Sequence, residues 1–344
     1  MTDTQHQFEI LDLRHFSAKQ LRPLLEQEAQ LWQRRLRWDY RSSTELLLQY
    51  LDSRILPGFV ALSRGKVCGY TFCVYEGHKA VIGDVYVAQE IESGLAATQA
   101  LTGHLLDVLE ASPDVERIEA QLLLFDAGTL TRPFAGQAPG QGFVIFPRLF
   151  EECDLKDIAA MVRAHWSPVA VPGELELCAW APGFYQPTAE LIHAAYEGHI
   201  DAQINDQYRT LHGSLRFLHN IVRFPGCGVF DAASSWILRD RRTHLPVASV
   251  LCSRISPNVA HVTQLCVSPH WRGRRLGETL MRHCMQHLPA QGYTALTLTV
   301  TEANEPAVRL YRELGFTTRH RFDAMVRDKG GQPHRIPLDS FSDR

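Results

Sequence analysis

Hydrophobic and polar positions along the second half of the chain switch between two periods. Glu174–Ala179 alternates every second residue, as a strand with one buried face does. Pro187–Tyr196 and Tyr208–Val222 carry helical spacing, separated by the polar stretch Glu197–Gln207. Ser235–Arg239, Val247–Arg254 and Val259–Val267 are β-rich runs divided by turn residues, which predicts an antiparallel meander. A short Arg/Gly loop, Arg272–Gly277, leads into a helix that ends before Pro289. Leu276, Leu280, Cys284 and Leu288 recur every four residues there, giving one apolar stripe. Thr294–Thr301 alternates Thr with Leu or Val and reads as a strand. Asn304–Leu314 follows as a helix with strong end signals. Asn304 can cap its first turn, Pro306 sits where a missing N–H costs nothing, and Gly315 can take the left-handed conformation that stops it. Phe316–Val326 predicts a closing strand or hairpin.

The first half repeats this plan. Phe8–Leu13 predicts a strand, Lys19–Arg37 and Thr44–Leu51 helices, and Phe59–Ser63, Val67–Tyr75 and Ala80–Ala88 a second meander. Leu95–Leu109 is a long amphipathic helix, Val115–Phe125 a strand and Gly142–Phe150 a terminal strand. Asp-Val-Tyr-Val-Ala ending at Ala88 mirrors Leu-Cys-Val-Ser-Pro ending at Pro269, and Gln141–Phe143 mirrors Leu314–Phe316. A length of 344 residues also suits about two domains. The expected boundaries are 1–150, a join at 151–172, a second domain at 173–330 and a tail at 331–344.

Composition narrows the class of protein. Hydrophobic residues make up 45% and charged residues 21%, ordinary for a globular chain, and the net charge of -3 provides no basic field for nucleic acid. No apolar run is long enough to cross a bilayer, and the polar N-terminus lacks a signal-peptide pattern, so a soluble cytoplasmic protein is expected. The eight cysteines are scattered without a Cys-x-x-Cys pair and fit buried free thiols. The 16 histidines show no ligand spacing either, so no metal is expected.

The chemistry concentrates in Leu265-Cys-Val-Ser-Pro-His-Trp-Arg-Gly-Arg-Arg-Leu-Gly277. A strand runs into a loop, and a helix starts as the loop ends, leaving outward N–H groups backed by the positive end of the helix dipole. Gly273 and Gly277 would let backbone approach a pyrophosphate closely, and Arg272, Arg274 and Arg275 add positive charge. On its own the loop fits a solvated basic turn equally well. One helix and one strand later stands Asn304-Glu-Pro-Ala-Val-Arg-Leu-Tyr-Arg-Glu-Leu-Gly-Phe316. Together the two stretches resemble the acyl-CoA N-acyltransferases of the GNAT family.

That resemblance implies an α/β fold of two tandem GNAT-like domains, each a mixed, mostly antiparallel twisted sheet flanked by helices. It implies acetyl-CoA as donor and transfer of its acetyl group to a primary amine, on a small molecule or a peptide, by direct attack in a ternary complex. Arg272–Gly277, including Leu276, would cradle the pyrophosphate, although Arg275 stands where the family usually has Gly. Backbone near Leu265, Cys266 and Val267 would stabilise the carbonyl oxygen. Asn304 would contact coenzyme A, and Tyr311 would be the general acid for the departing thiolate. Outside the motif, Tyr311 reads more readily as a core aromatic. A non-catalytic acyl-CoA sensor and a transferase for longer acyl chains are the alternatives.

The strand Val259–Val267 holds no carboxylate, so the base is open: His261 directly, or water through Gln264. A lone strand histidine also fits a structural role. His199, Asp201 and Asp206 in the polar stretch could attract a cationic amine, or simply cap helices. In the first half the corresponding loop reads Gln89-Glu-Ile-Glu-Ser-Gly94, whose two glutamates would repel a pyrophosphate. That half is expected to be a degenerate copy.

Overall fold

The computed structural model describes residues 8–136, 142–156, 170–224 and 226–329. They form two compact units that do not follow the two halves of the sequence. Unit one runs to Leu31, from Thr44 to Phe146 and again from Phe322; unit two comprises Trp32–Ser43 and Pro147–Arg321.

Unit one is built on β1 (Glu9–Asp12), β2 (Gly58–Ser63), β3 (Lys66–Glu76) and β4 (Lys79–Val87), each antiparallel to the next. β5 (Arg117–Gln121) then pairs parallel with β4. Its other neighbour is the end of β13 (Thr317–Asp328), where Ala324–Asp328 pair antiparallel with Arg117–Gln121. The helices of the first half are α1 (Ala18–Leu36), α2 (Arg41–Asp52), α3 (Gly94–Ala111) and the single turn α4 (Thr131–Phe134). α3 buries Ala97, Leu101, Leu105 and Leu109, at i, i+4, i+8 and i+12, against the sheet.

Unit two holds β6 (Val144–Asp154), β7 (Leu175–Ala179), β8 (Val229–Phe230), β9 (Trp236–Asp240), β10 (Pro246–Ser256), β11 (Val259–Val267) and β12 (Ala295–Thr301). Its sheet order is β7–β9–β10–β11–β12–β6, with β8 on β10. Among the described strand pairs of this unit β11 and β12 are parallel and the others antiparallel. The helices are α5 (Tyr185–Tyr196), α6 (Asp201–Ile204), α7 (Leu211–Arg223), α8 (Leu276–His287) and α9 (Glu305–Glu313).

Strand alternation sends neighbouring residues to opposite faces. Leu238 and Cys252 pack in the core with α8 and α9, while Ile237 and Leu251 pack with Trp180, Ala189 and Leu218 on the other face. The stripe Leu276, Leu280, Cys284 and Leu288 is buried as its period requires. β12 is buried on both faces, which explains its Thr-Leu alternation. Leu296, Leu298 and Val300 enter the core, and the hydroxyl of Thr297 donates to the Ala260 carbonyl at 3.2 Å.

Each sheet is therefore completed by a strand from the other half of the sequence: β6 lies beside β12, and the end of β13 lies beside β5. The join expected at 151–172 begins later than the sequence suggests, because Glu151–Asp154 pair with Ala295–Leu298 as strand. The rest of the join at 157–169 and the tail at 331–344 lie outside the described residues. The helix expected from Tyr208 starts at Leu211, since Thr210 is extended and its hydroxyl caps the Gly213 N–H at 3.0 Å. Phe316–Val326 resolves as one long strand, not a hairpin.

Unit two also keeps the strap Trp32–Ser43. The Asp39 N–H donates to the Ile255 carbonyl at 2.7 Å, and Arg37 pairs with Glu152 at 2.7 Å. The Trp38 ring packs on His261 with centroids 5.2 Å apart.

Candidate active site

β11 and β12 separate partway along their length. Their parallel ladder runs from Val259↔Ala295 to Val262↔Leu298 and stops there. Beyond it, β11 stays paired with β10 as far as Val267, and β12 stays paired with β6 as far as Thr301. The facing edges of Thr263–Val267 and Thr299–Thr301 thus diverge, with backbone groups unladdered on both sides. The cause is local: against β10 the register slips by one residue between Val262 and Gln264, a bulge at Thr263 that turns the strand. Leu265, Cys266 and Val267 line the β11 edge of this gap. Cys266 is buried, its sulfur 3.2 Å from the Ser249 hydroxyl, and burial pushes its thiol up to about 11.

The Arg/Gly loop closes one end. Arg275 sits at φ 56°, the left-handed region, as the residue capping α8. A glycine takes that conformation freely, which gives a physical reason for a glycine there; Arg275 carries a strain of order 1 kcal/mol. Gly273 is also left-handed, at φ 76°. First-turn N–H groups of α8 at Leu276, Gly277 and Glu278 have no intrahelical acceptor. A Cβ at Gly277 would stand 3.8 Å from side chains of Leu310 and Val267, inside the space between α8, α9 and the β11 edge.

Each of the three arginines has a partner within the protein. Arg272 donates to the Ala195 carbonyl at 2.6 Å, near the end of α5. Arg274 lies over the Trp271 ring at 4.6 Å and pairs with Glu174 at 3.2 Å. Arg275 pairs with Glu278 at 2.5 Å, and Glu278 also holds Arg282 at 2.8 Å. The Arg274 and Arg275 side chains stay half or more exposed, so these surface ion pairs leave positive charge at the loop beside its backbone N–H groups.

α9 follows its sequence signals. Asn304 Oδ1 accepts from the Ala307 N–H at 3.4 Å, and Gly315 ends the helix at φ 89°. Tyr311 faces inward, 7% exposed, its ring 5.7 Å from that of Phe316. Burial above all, then the negative charges of Asp201 and Glu151, holds its hydroxyl protonated well above the ordinary tyrosine range.

Asp201 and His199 join this helix at the site. The hydroxyl of Thr301, the last residue of β12, donates to Asp201 Oδ1. His199 Nδ1 accepts from the Asp201 N–H at 3.1 Å, and Nε2 lies 3.4 Å from the Asn304 amide. Burial lowers the His199 pKa, partly opposed by Asp201 and reinforced by Arg272. Tyr196 and Tyr208, stacked at 4.2 Å, flank the cluster, and Tyr208 reaches Gln264 Oε1 at 3.5 Å. Sequence reasoning missed Thr301, Tyr196 and Tyr208; the polar strand end just before Asn304 was the available signal for the first. Asp206 opens a separate 3-10 turn, Asp206–Arg209.

His261 is placed in the core. It is 5% exposed between the rings of Trp38 and Phe150, with Nδ1 at 2.9 Å from the Thr297 hydroxyl. Burial, then Arg148, pulls its pKa down to about 3. The fold therefore holds it neutral, whereas the unfolded chain protonates it below its ordinary value of 6.5. Its contribution is complete above that pH and is lost as pH falls toward 3, at up to about 1.4 kcal/mol per pH unit. Melting temperature measured from pH 7 to pH 4 should fall less steeply for His261→Gln than for the parent chain. Parallel slopes would remove His261 from the acid response.

Solved structures with this architecture exist. A GCN5-related N-acetyltransferase from Sphaerobacter thermophilus superposes with a TM-score of 0.60 at 14% identity, covering 94% of this chain and 96% of its own. A tandem GNAT protein from the clavulanic acid biosynthesis pathway gives a TM-score of 0.55 at 16% identity, covering 95% of this chain and all of its own length (100%). This chain carries the GNAT acetyltransferase fold, duplicated.

Within the second GNAT copy, residues 202–316 match the Acetyltransferase (GNAT) family. Mycothiol acetyltransferase of Thermobifida fusca is 43% identical over 58 residues, 17% of this chain and 18% of that protein. Across the curated relatives, the matched segments span between 18% and 38% of the relative's length.

The first GNAT copy repeats the architecture. Its parallel ladder also stops early, at Ile82↔Ala120, beside a bulge at Gly83. A Cβ at Gly83 would collide with the Phe72 ring, at 2.1 Å. Glu90 and Glu92 precede α3, and the one-turn α4 stands where the second copy has α9.

Proposed function

We propose that the second GNAT copy transfers an acetyl group from acetyl-CoA to a primary amine by direct attack. The observation that carries the reading is the gap between β11 and β12, with the N-terminus of α8 at one end and the buried, protonated Tyr311 beside it. The residues present fit coenzyme A: N–H groups of Leu276, Gly277 and Glu278 for a pyrophosphate, and unladdered strand edges for an extended amide-bearing arm. Bound acetyl-CoA supplies an activated thioester carbonyl.

The chain's own groups do the rest. Backbone N–H groups on the Leu265–Val267 edge are placed to stabilise negative charge on that oxygen, because fixed dipoles need no reorganisation during reaction. Tyr311 holds a proton for a leaving sulfur, and positioned acids contribute about 10²–10⁴ in rate. Asn304 holds the entry of α9 against the His199 side. Calorimetric titration with acetyl-CoA should give one site per chain. No binding at high micromolar ligand would remove the reading, and two sites would show that the first copy keeps a working cradle.

A further inference from the structure

We propose that the cleft on the outer side of α9 is a second binding site, separate from the acetyl-transfer site. Its ligand is a small organic oxyanion: a carboxylate or phosphate ester carried on an apolar body.

Glu305, Val308, Arg309 and Arg312 recur at i, i+3, i+4 and i+7 and so share one face of α9. That face borders a cleft of about 520 Å³, whose other wall is Leu149 of β6 with Thr318 and Arg321 of β13. Small-molecule sites occupy roughly 300–1,000 Å³, so the cleft has room for a ligand of that class. Leu310 points to another side of the helix. A Cβ at Gly277 would stand 3.8 Å from its side chain, in the space beside the N-terminus of α8. The cleft and the space read as the coenzyme A cradle thus lie on different faces of one helix.

The charges around the cleft are unequally committed. Arg321 is held by Glu302, whose backbone N–H donates to the Pro147 carbonyl at 2.9 Å. The Thr318 hydroxyl donates to the buried Glu151 at 2.9 Å, and the charge of Arg312 acts on that carboxylate. Arg309 and Arg312 are both exposed, and neither guanidinium has a hydrogen bond or an ion pair among the described residues. Glu305, four residues before Arg309, is the usual partner on a helix, yet no pair within 4.0 Å forms.

Two guanidinium groups one turn apart present N–H forks that match paired oxygens of a carboxylate or phosphate. Leu149 and Val308 belong to the core packing and give the cleft an apolar floor. A bare ion would leave that floor wet, so the ligand carries an apolar body. Glu302 and Glu305 repel further negative charge at the N-terminal end of α9, which limits the ligand to a single oxyanion group.

The test titrates the full chain by calorimetry at saturating acetyl-CoA, so that phosphate binding at the α8 N-terminus is already blocked. The probes are phenyl phosphate and benzoate, with inorganic phosphate and benzyl alcohol as controls. At least one aromatic anion should bind with Kd below about 1 mM, and at least about tenfold more tightly than either control. Which of the two binds better separates a phosphate ester from a carboxylate. The double variant Arg309→Gln, Arg312→Gln should lose at least about tenfold in affinity, with an unchanged circular dichroism melt because both side chains are exposed. Equal affinity in that variant overturns the assignment, as does no binding of either aromatic anion. Controls that bind as tightly as the anions overturn it too. Binding seen only without acetyl-CoA places the anion in the donor site and overturns a second one. A parent chain that does not bind acetyl-CoA overturns the acetyl-transfer reading alone, and the comparison with the double variant still decides the cleft.

Discussion

Replacing Tyr311 with Phe should lower turnover at least about 10²-fold while leaving acetyl-CoA affinity nearly unchanged. The ring is buried against Phe316 and the core beneath α9, and the substitution retains it. What disappears is one hydroxyl whose proton the site retains through burial and neighbouring negative charge. Loss of that proton donor acts on the departing sulfur alone, so kcat and kcat/KM should fall together. Turnover at the parent rate would return Tyr311 to a packing role. A parallel loss of acetyl-CoA binding would mean that the hydroxyl holds the donor instead.

A fragment of residues 173–330, the second copy as the sequence delimits it, should neither fold cooperatively nor bind acetyl-CoA. It lacks β6, which pairs with β12 from Arg148↔Thr301 to Asp154↔Ala295. It also loses Leu149, Cys153 and Leu155 from the core, and both rings that enclose His261. Each large apolar side chain contributes about 1.5–3 kcal/mol when buried, so several together match the 5–15 kcal/mol that holds a typical domain folded. Circular dichroism melting decides it: a sharp transition near that of the full chain would show that the second copy stands alone.

Much of the fold was legible because the elements obey strong local rules. The period-four stripe on α8, the Asn304 cap with Pro306 and the Gly315 stop each state a helix with its ends. The strand, loop and helix start from Leu265 to Gly277 were legible for the same reason, because they adjoin in sequence. Partners distant in sequence were not legible. Nothing in Phe150 or Trp38 announces that their rings enclose His261, and nothing in the arginine run says that Arg272 reaches back to Ala195. The exchange of closing strands was hidden too, because β6 has the same alternation whichever neighbour it pairs with. Asp201 lay in a segment read equally as caps, and its hydrogen bond from Thr301, a hundred residues later, could not be read there.

The exchanged strands also set an order in time. During synthesis from the N-terminus, β1 to β5 are made early, yet the antiparallel neighbour of β5 is the end of β13, among the last described residues of the chain. The first copy's sheet therefore waits with one edge unpaired while β6 is already available to the second. A ribosome that stops short of Thr317 releases a first sheet whose β5 edge is still open, however much of the second has been made.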